Sequence, residues 1–193
     1  FCPLTNVAHC DIHRSFAKKA MEYAQAPEVK TVVIVGSWTR YFNDSDCRAL
    51  YSYSNGQNFY DHLDKVARDF TLMIQGLIAQ GKKVYIVLSM PRGPEFTPTK
   101  GIKRSLLGVT AVDLNYFASW SNWQKVNRKS KTFLSRIAKN SGAIIIDPDE
   151  FFFCGRRLRI WTQDGYLMYR DADHLWPSYV EKYVTYLDFL MQD

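Results

Sequence analysis

The sequence predicts an α/β protein built on a parallel sheet. Three observations carry that expectation. Thr31–Val35, Val84–Leu88 and Ala143–Ile146 are short aliphatic, mostly β-branched runs, the pattern of strands buried on both faces. Stretches of helical periodicity separate them, and such alternation implies a parallel sheet with crossover helices. Each run stops at a loop, and ligands of such sheets bind outside the carboxyl ends of the strands.

The elements follow in order. From Asp11 to Gln25, Ile12, Phe16, Ala20 and Tyr23 fall on one helical face, and Pro27 closes the helix. The first strand, Thr31–Val35, ends at Gly36-Ser37. After a polar stretch, Asn58 is placed to cap a helix whose stripe is Phe59, Leu63, Val66, Phe70, Ile74, Leu77 and Ile78, with Gly81 as its stop. The second strand, Val84–Leu88, runs into Ser89-Met90-Pro91-Arg92-Gly93-Pro94. A long irregular stretch to Ser121 is the length of loop that is functional or partly helical. The next helix spans Asn122–Asn140, with Trp123, Val126, Phe133, Leu134 and Ile137 on one face. The third strand closes at Asp147-Pro148. Arg157–Ile160 and Tyr166–Tyr169 then flank Asp164-Gly165, a hairpin signal. A last helix turns Tyr179, Val180, Tyr183, Val184, Leu187 and Leu190 inward.

Length and composition narrow the class. A chain of 193 residues is expected to form a single domain, residues 1–193. Its 47% hydrophobic and 23% charged residues exclude a disordered tail. No apolar run reaches the roughly eighteen residues of a membrane span. Lys+Arg 25 against Asp+Glu 19 leaves a net charge of +6, in short clusters such as Lys103-Arg104, Arg128-Lys129 and Arg156-Arg157. Without a zinc-finger, basic-zipper or aromatic RNA-binding signature, this reads as scattered surface charge, and no nucleic-acid partner is expected. The chain opens at Phe1-Cys2 with neither Met nor signal peptide, and reads as part of something longer.

The four cysteines, Cys2, Cys10, Cys47 and Cys154, form no C-x-x-C pair. They are compatible with two disulfides in an oxidising compartment, with three connectivities open. Cys2–Cys10, closing a short loop around Pro3, with Cys47–Cys154 is the preferred pairing. His9, Cys10, Asp11 and His13 have ligand chemistry, but no second ligand cluster answers them, so no metal site is expected.

The densest polar cluster is Tyr169-Arg170-Asp171-Ala172-Asp173-His174-Leu175. A His with a carboxylate three residues earlier suits general-base work: the carboxylate fixes the tautomer, and the other ring nitrogen takes a proton from a hydroxyl. Spacing alone serves equally a pair of helix-capping aspartates beside a packed surface His.

With Asp164-Gly165 and Tyr169-Arg170 before it, the Asp171-Ala172-Asp173-His174-Leu175 block resembles the last block of SGNH hydrolases. More closely, it resembles the SGNH domain fused to the C-terminus of acyltransferase-3 family membrane O-acyltransferases. Phe1-Cys2-Pro3-Leu4 with Cys10 is similar to that family's Cys-Pro segment. Val32-Val33-Ile34-Val35-Gly36-Ser37-Trp38-Thr39-Arg40-Tyr41 resembles its strand with a Trp-containing turn, and Asp147-Pro148 before a Cys also fits. The similarity covers nearly the whole chain.

The resemblance implies a three-layer α/β/α flavodoxin-like SGNH fold with a parallel sheet, and serine-esterase chemistry. His174 would be the base and Asp171 its orienting carboxylate, with Asp173 holding the loop. The family's nucleophile sits in a Gly-Asp-Ser block before the Cys-Pro segment, and no Gly-Asp-Ser occurs here. The Ser is therefore expected upstream, and Ser37 is the weaker alternative. The chain is then expected to lack the first strand and nucleophile block, to be inactive alone, and to leave a sheet edge and apolar surface uncovered. Where ordinary SGNH hydrolases have an oxyanion-binding Asn, this chain has Trp38. Backbone N–H groups near Gly36 and Ser37, or Arg40, are candidate donors. Trp38 is alternatively a loop anchor or a surface for a sugar ring. Tyr116, Trp120 and Trp123 are read first as core and second as a carbohydrate platform. Arg92 faces an anionic sugar or solvent.

The implied function is transfer of an acyl group, expected to be acetyl, to hydroxyls of a cell-surface glycan on the periplasmic or extracellular face of a bacterial membrane. No bound cofactor is expected, and the resemblance implies an acetyl-CoA-derived donor supplied through the upstream membrane domain of the same parent protein. The alternatives are a carbohydrate esterase and a non-catalytic glycan-binding domain.

Overall fold

The fold is described from a computed structural model. It covers residues 7–42, 59–104, 110–113, 116–153, 155–162 and 164–191, with side chains described except at 7–14, 40, 59–62, 103–104 and 110–112. The chain divides into two compact units, Phe1–Ser89 with Asn127–Ile146, and Met90–Val126 with Asp147–Asp193.

The first unit carries the sheet. β1 (Thr31–Val35), β2 (Lys83–Val87) and β6 (Ile144–Ile146) pair in parallel in the order β1-β2-β6. Helices α1 (Val7–Ala24), α2 (Trp38–Phe42), α3 (Phe59–Ala79) and the larger part of α4 (Trp120–Ser141) accompany it. A mixed α/β chain with a parallel sheet is the predicted class, and it is consistent with a three-layer α/β/α fold.

Paired residues of a parallel sheet share a face, so Val32, Ile34, Val84, Ile86 and Ile145 line up. They pack with Val66, Ile74 and Leu77 of α3 and with Leu134, Ile137 and Ala138 of α4. From Leu63 to Ile78 the α3 stripe lies as its periodicity predicts, while the Phe59 side chain and the predicted cap Asn58 lie outside the described residues. The helix ends in a Schellman turn: Gly81 N–H donates to Ile78 O, Lys82 N–H donates to Leu77 O, and Gly81 takes φ 80°. Lys82 is buried, and its Nζ donates to the carbonyls of Ala26 and Val29, tying the entry of β1 to that of β2.

Three expectations of burial are corrected. Only β2 is buried on both faces. In β1, Val33 is 37% and Val35 66% exposed, and in β6 Ile144 is 50% exposed. The cause is position: among the described residues β1 and β6 are the two edges of the sheet, whereas β2 is central. In α1, Met21 and Ala24 pack against the core, while Phe16 and Tyr23 stand out in solvent. In α4, Val126 is exposed, and the buried face runs through Trp123, Asn127, Ser130, Leu134 and Ile137. Ser130 Oγ donates within the helix to Asn127 O and Oδ1, while the buried Asn127 Nδ2 has no hydrogen-bond partner among the described residues.

The second unit is an aromatic cluster among short elements. The stretch predicted as irregular holds 3-10 turns at Pro94–Phe96 and Pro98–Gly101 and the antiparallel pair β3 (Ile102–Arg104) and β4 (Thr110–Val112). It then enters β5 (Phe117–Ser119), which pairs antiparallel with β7 (Arg157–Arg159). The Asp164-Gly165 turn forms, with Gly165 at φ 86°, but its hairpin is closed by the Trp161–Leu167 bridge and not by β7. The chain continues through α5 (Asp149–Phe152) and α6 (Pro177–Tyr183) to a 3-10 turn at Asp188–Met191. Phe96, Phe152, Leu158, Ile160, Trp161, Met168, Tyr169 and Tyr179 form the core. The last helix is shorter than predicted because Val184 is extended, and Val180 is exposed rather than inward.

Candidate active site

The second unit brings Asp171, His174, Arg170, Arg92 and Asp173 together around one loop. The loop begins where Tyr169 and Leu175 form an antiparallel bridge, so residues 170–174 make a tight reversal. Three tethers bind this reversal to the segment following β2. Gly93 N–H donates to Ala172 O at 2.8 Å, the fully buried Tyr169 hydroxyl donates to Pro91 O at 2.8 Å, and Arg92 Nη1 lies 3.9 Å from Asp173 Oδ1. Burial pushes the Tyr169 phenol well above its ordinary pKa, so it stays a neutral donor.

Asp171 is the hub of the reversal. Its Oδ1 accepts from the backbone N–H of Asp173 at 2.8 Å and of His174 at 2.9 Å, an Asx turn that fixes the carboxylate against its own backbone. The same carboxylate meets His174 Nδ1 at 2.9 Å and 3.0 Å from its two oxygens. Arg170 Nε lies 3.5 Å from Oδ2. The Asp173 N–H, then the His174 ring and N–H, hold the carboxyl down to about 2. An ionised carboxylate only accepts hydrogen bonds, so Nδ1 carries the ring proton and neutral His174 keeps a lone pair on Nε2. The His174 side chain is 64% exposed. The arrangement is chemically able to take a proton from a hydroxyl at Nε2 while Asp171 stabilises the imidazolium.

Other predicted positions belong to other segments of the chain. Gly36, Ser37 and Trp38 follow β1 in the first unit. Trp38 is buried, its Nε1 donates to Val87 O at 2.7 Å, and its ring stacks on Phe42 at 6.2 Å. A buried indole with its donor engaged offers neither a face to a sugar nor a hydrogen to an oxyanion, so Trp38 is a loop anchor. A Cβ at Gly36 would crowd that ring at 3.1 Å, which explains the glycine before it. Tyr116 donates to Glu95 O, Trp123 Nε1 donates to buried Asp149 at 2.6 Å, and Trp120 packs edge-on to Phe153. These three are packing residues. The Arg40 side chain and the thiols of Cys2, Cys10, Cys47 and Cys154 lie outside the described residues, as do the side chains of His9, Asp11 and His13.

Sequence reasoning missed the tethers. Tyr169 stood in the motif without a role and Gly93 in a loop without one, since pairing between segments so far apart in the chain is decided by the fold.

The fold is α/β, and its polar focus is a histidine braced by a carboxylate, a hydrolase-like class of site. A family model described as the SGNH domain fused to AT3 domains matches residues 2–184, and the chain belongs to that family. No curated protein and no solved structure gives a match. The chain is thus an acyltransferase-associated, SGNH hydrolase-like domain. Among the described residues, no helix is long and apolar enough to cross a membrane.

Proposed function

We propose that this domain is the extracytoplasmic acyl-transfer module of an O-acyltransferase, passing an acetyl group to hydroxyls of a cell-surface glycan. His174 is the general base, Asp171 its orienting carboxylate, and Asp173 with Arg92 a brace for the loop. The acyl group rides on a serine from a Gly-Asp-Ser block outside these 193 residues, and the donor reaches that serine through the membrane acyltransferase domain of the parent protein. His174 Nε2 takes the serine proton as the acyl-enzyme forms and passes it to the departing donor group, then takes the acceptor hydroxyl's proton and returns it to the serine oxygen as the acyl group leaves.

The observation that carries the reading is the Asp171–His174 contact at 2.9 Å, in a loop tethered three times, within a chain the family spans almost end to end. The parent protein incubated with p-nitrophenyl acetate is expected to show a burst of p-nitrophenol and an acetyl adduct on one serine by mass spectrometry. His174→Ala abolishes both. Full turnover in that variant overturns the assignment. Delivery of acetyl to water alone, across a panel of oligosaccharide acceptors, makes the domain a carbohydrate esterase.

A further inference from the structure

We propose that Trp176 is the platform on which the acceptor sugar seats beside His174. The inference rests on the acyl-transfer reading above and names the side chain that holds the substrate. It starts from the backbone. Arg170 N–H donates to His174 O at 2.8 Å, and Trp176 N–H donates to Met168 O at 2.9 Å, on either side of the Tyr169–Leu175 bridge. Trp176 is itself extended, at φ −67° and ψ 134°.

Side chains alternate along such a segment. Tyr169 and Leu175 turn into the aromatic core. His174 and Trp176, flanking Leu175, share the other side of the ladder, with the exposed Arg170 across from His174 and the buried Met168 across from Trp176. Two residues of extended chain separate them by about 6.5 Å, roughly the span of one pyranose ring and its hydroxyl.

The exposure of Trp176 is the second observation. Its side chain belongs to a residue 39% exposed, whereas Trp38, Trp123 and Trp161 are 8%, 2% and 8% exposed. At the start of α6 it makes no side-chain capping bond. Among the described residues, no ring contact or hydrogen bond engages the indole.

The chemistry of the surroundings selects the ligand. A pyranose presents C–H groups on one face and hydroxyls around its rim. The indole face is flat, apolar and rigid. Arg170, with its side chain half-exposed, adds guanidinium donors at the rim. With Nδ1 held by Asp171, Nε2 of His174 points to the remaining partner, a rim hydroxyl. In the transfer step the sugar O–H gives its proton to Nε2 and its oxygen bonds to the acyl carbon. The serine Oγ–acyl bond then breaks, and the serine oxygen recovers the proton from His174.

The experiment measures how the parent protein partitions acetyl between water and sugar, with p-nitrophenyl acetate as donor and trisaccharides of hexose, N-acetylhexosamine and uronic acid as acceptors. Trp176→Ala is expected to raise the acceptor KM and lower the sugar-to-water ratio by about tenfold or more, a loss of roughly one stacked aromatic contact. Trp176→Phe is expected to restore most of the ratio, which a purely structural role would not predict. In ¹H–¹⁵N spectra of the 193-residue chain, the Trp176 indole N–H is expected to shift with at least one of the three trisaccharides. An unchanged ratio in a folded Trp176→Ala protein overturns the platform, as does the absence of any indole shift. These failures are separable from that of the parent reading: if His174→Ala still transfers acetyl, the function itself fails, whereas a dead His174→Ala beside a normal Trp176→Ala removes only the platform.

Discussion

Asp171 decides what His174 is able to do. Its carboxyl, held at about 2 against an ordinary 3.8, is lowered first by the Asp173 N–H. The folded state therefore binds that proton less readily than the unfolded chain does. The sign follows: the carboxylate's contribution to loop stability is complete above the unfolded value near 3.8 and is lost as pH falls through about 2. Titration of the Asp171 carboxyl carbon by NMR is expected to give a midpoint near 2, with the Asp173 and His174 amide shifts moving in step. Asp171→Asn probes the tautomer. An amide is able to donate to Nδ1 as well as accept, so the ring is no longer held with its lone pair on Nε2. Acetyl transfer by the parent protein is expected to fall on the order of a thousandfold or more, with the acyl-serine yield as readout.

The helices and turns of the two units show where periodicity suffices. Phe59–Ala79 was legible because its apolar stripe and Gly81 stop agree with its neighbours in the fold. Ile74, fully buried there, is expected to cost about 2–5 kcal/mol when cut to Ala, whereas Val126→Ser, on the exposed face of α4, stays within about 0.5 kcal/mol. Urea unfolding of both variants compares them. The same α4 shows the limit of hydrophobic patterning, since Asn127 and Ser130 are buried and a valine is not. The phase of a helix is set by the partner it packs on, and Asn127 and Ser130 pass as surface residues in the sequence. Gly101 makes a parallel point in the second unit. A Cβ there would strike Trp161 Nε1 and Ile160 Cδ1, so Gly101→Ala is expected to destabilise by about 1–3 kcal/mol in tryptophan-monitored denaturation. Nothing in the local sequence marks that close approach.

For the molecule as a whole, the sheet edge is the feature with consequences. Among the described residues β1 has a partner on one side alone, and Val33 and Val35 stand exposed on it. An uncovered apolar edge is a template for further strand pairing. Val35→Lys is expected to lower concentration-dependent light scattering of the 193-residue chain while leaving its thermal midpoint within a few degrees, because Val35 contributes little buried surface. An unchanged scattering profile would show that this edge does not drive association.

The sequence by itself determined the class of this protein. Three β-branched runs set between helical stripes specify an α/β chain, because those periods are local and survive without knowledge of the partner. It also carried the Asp171–His174 pair, whose spacing is short enough for an Asx turn to fix it, and the ordered marks of its family. The tertiary structure alone decided the rest. Which strand is central, and so which valines are buried, depends on strand order. Whether Trp38 faces a ligand or the core depends on Val87, distant in sequence, accepting its N–H. That Trp176 shares a side with His174 follows from a bridge between residues 169 and 175, a pairing set by backbone hydrogen bonds.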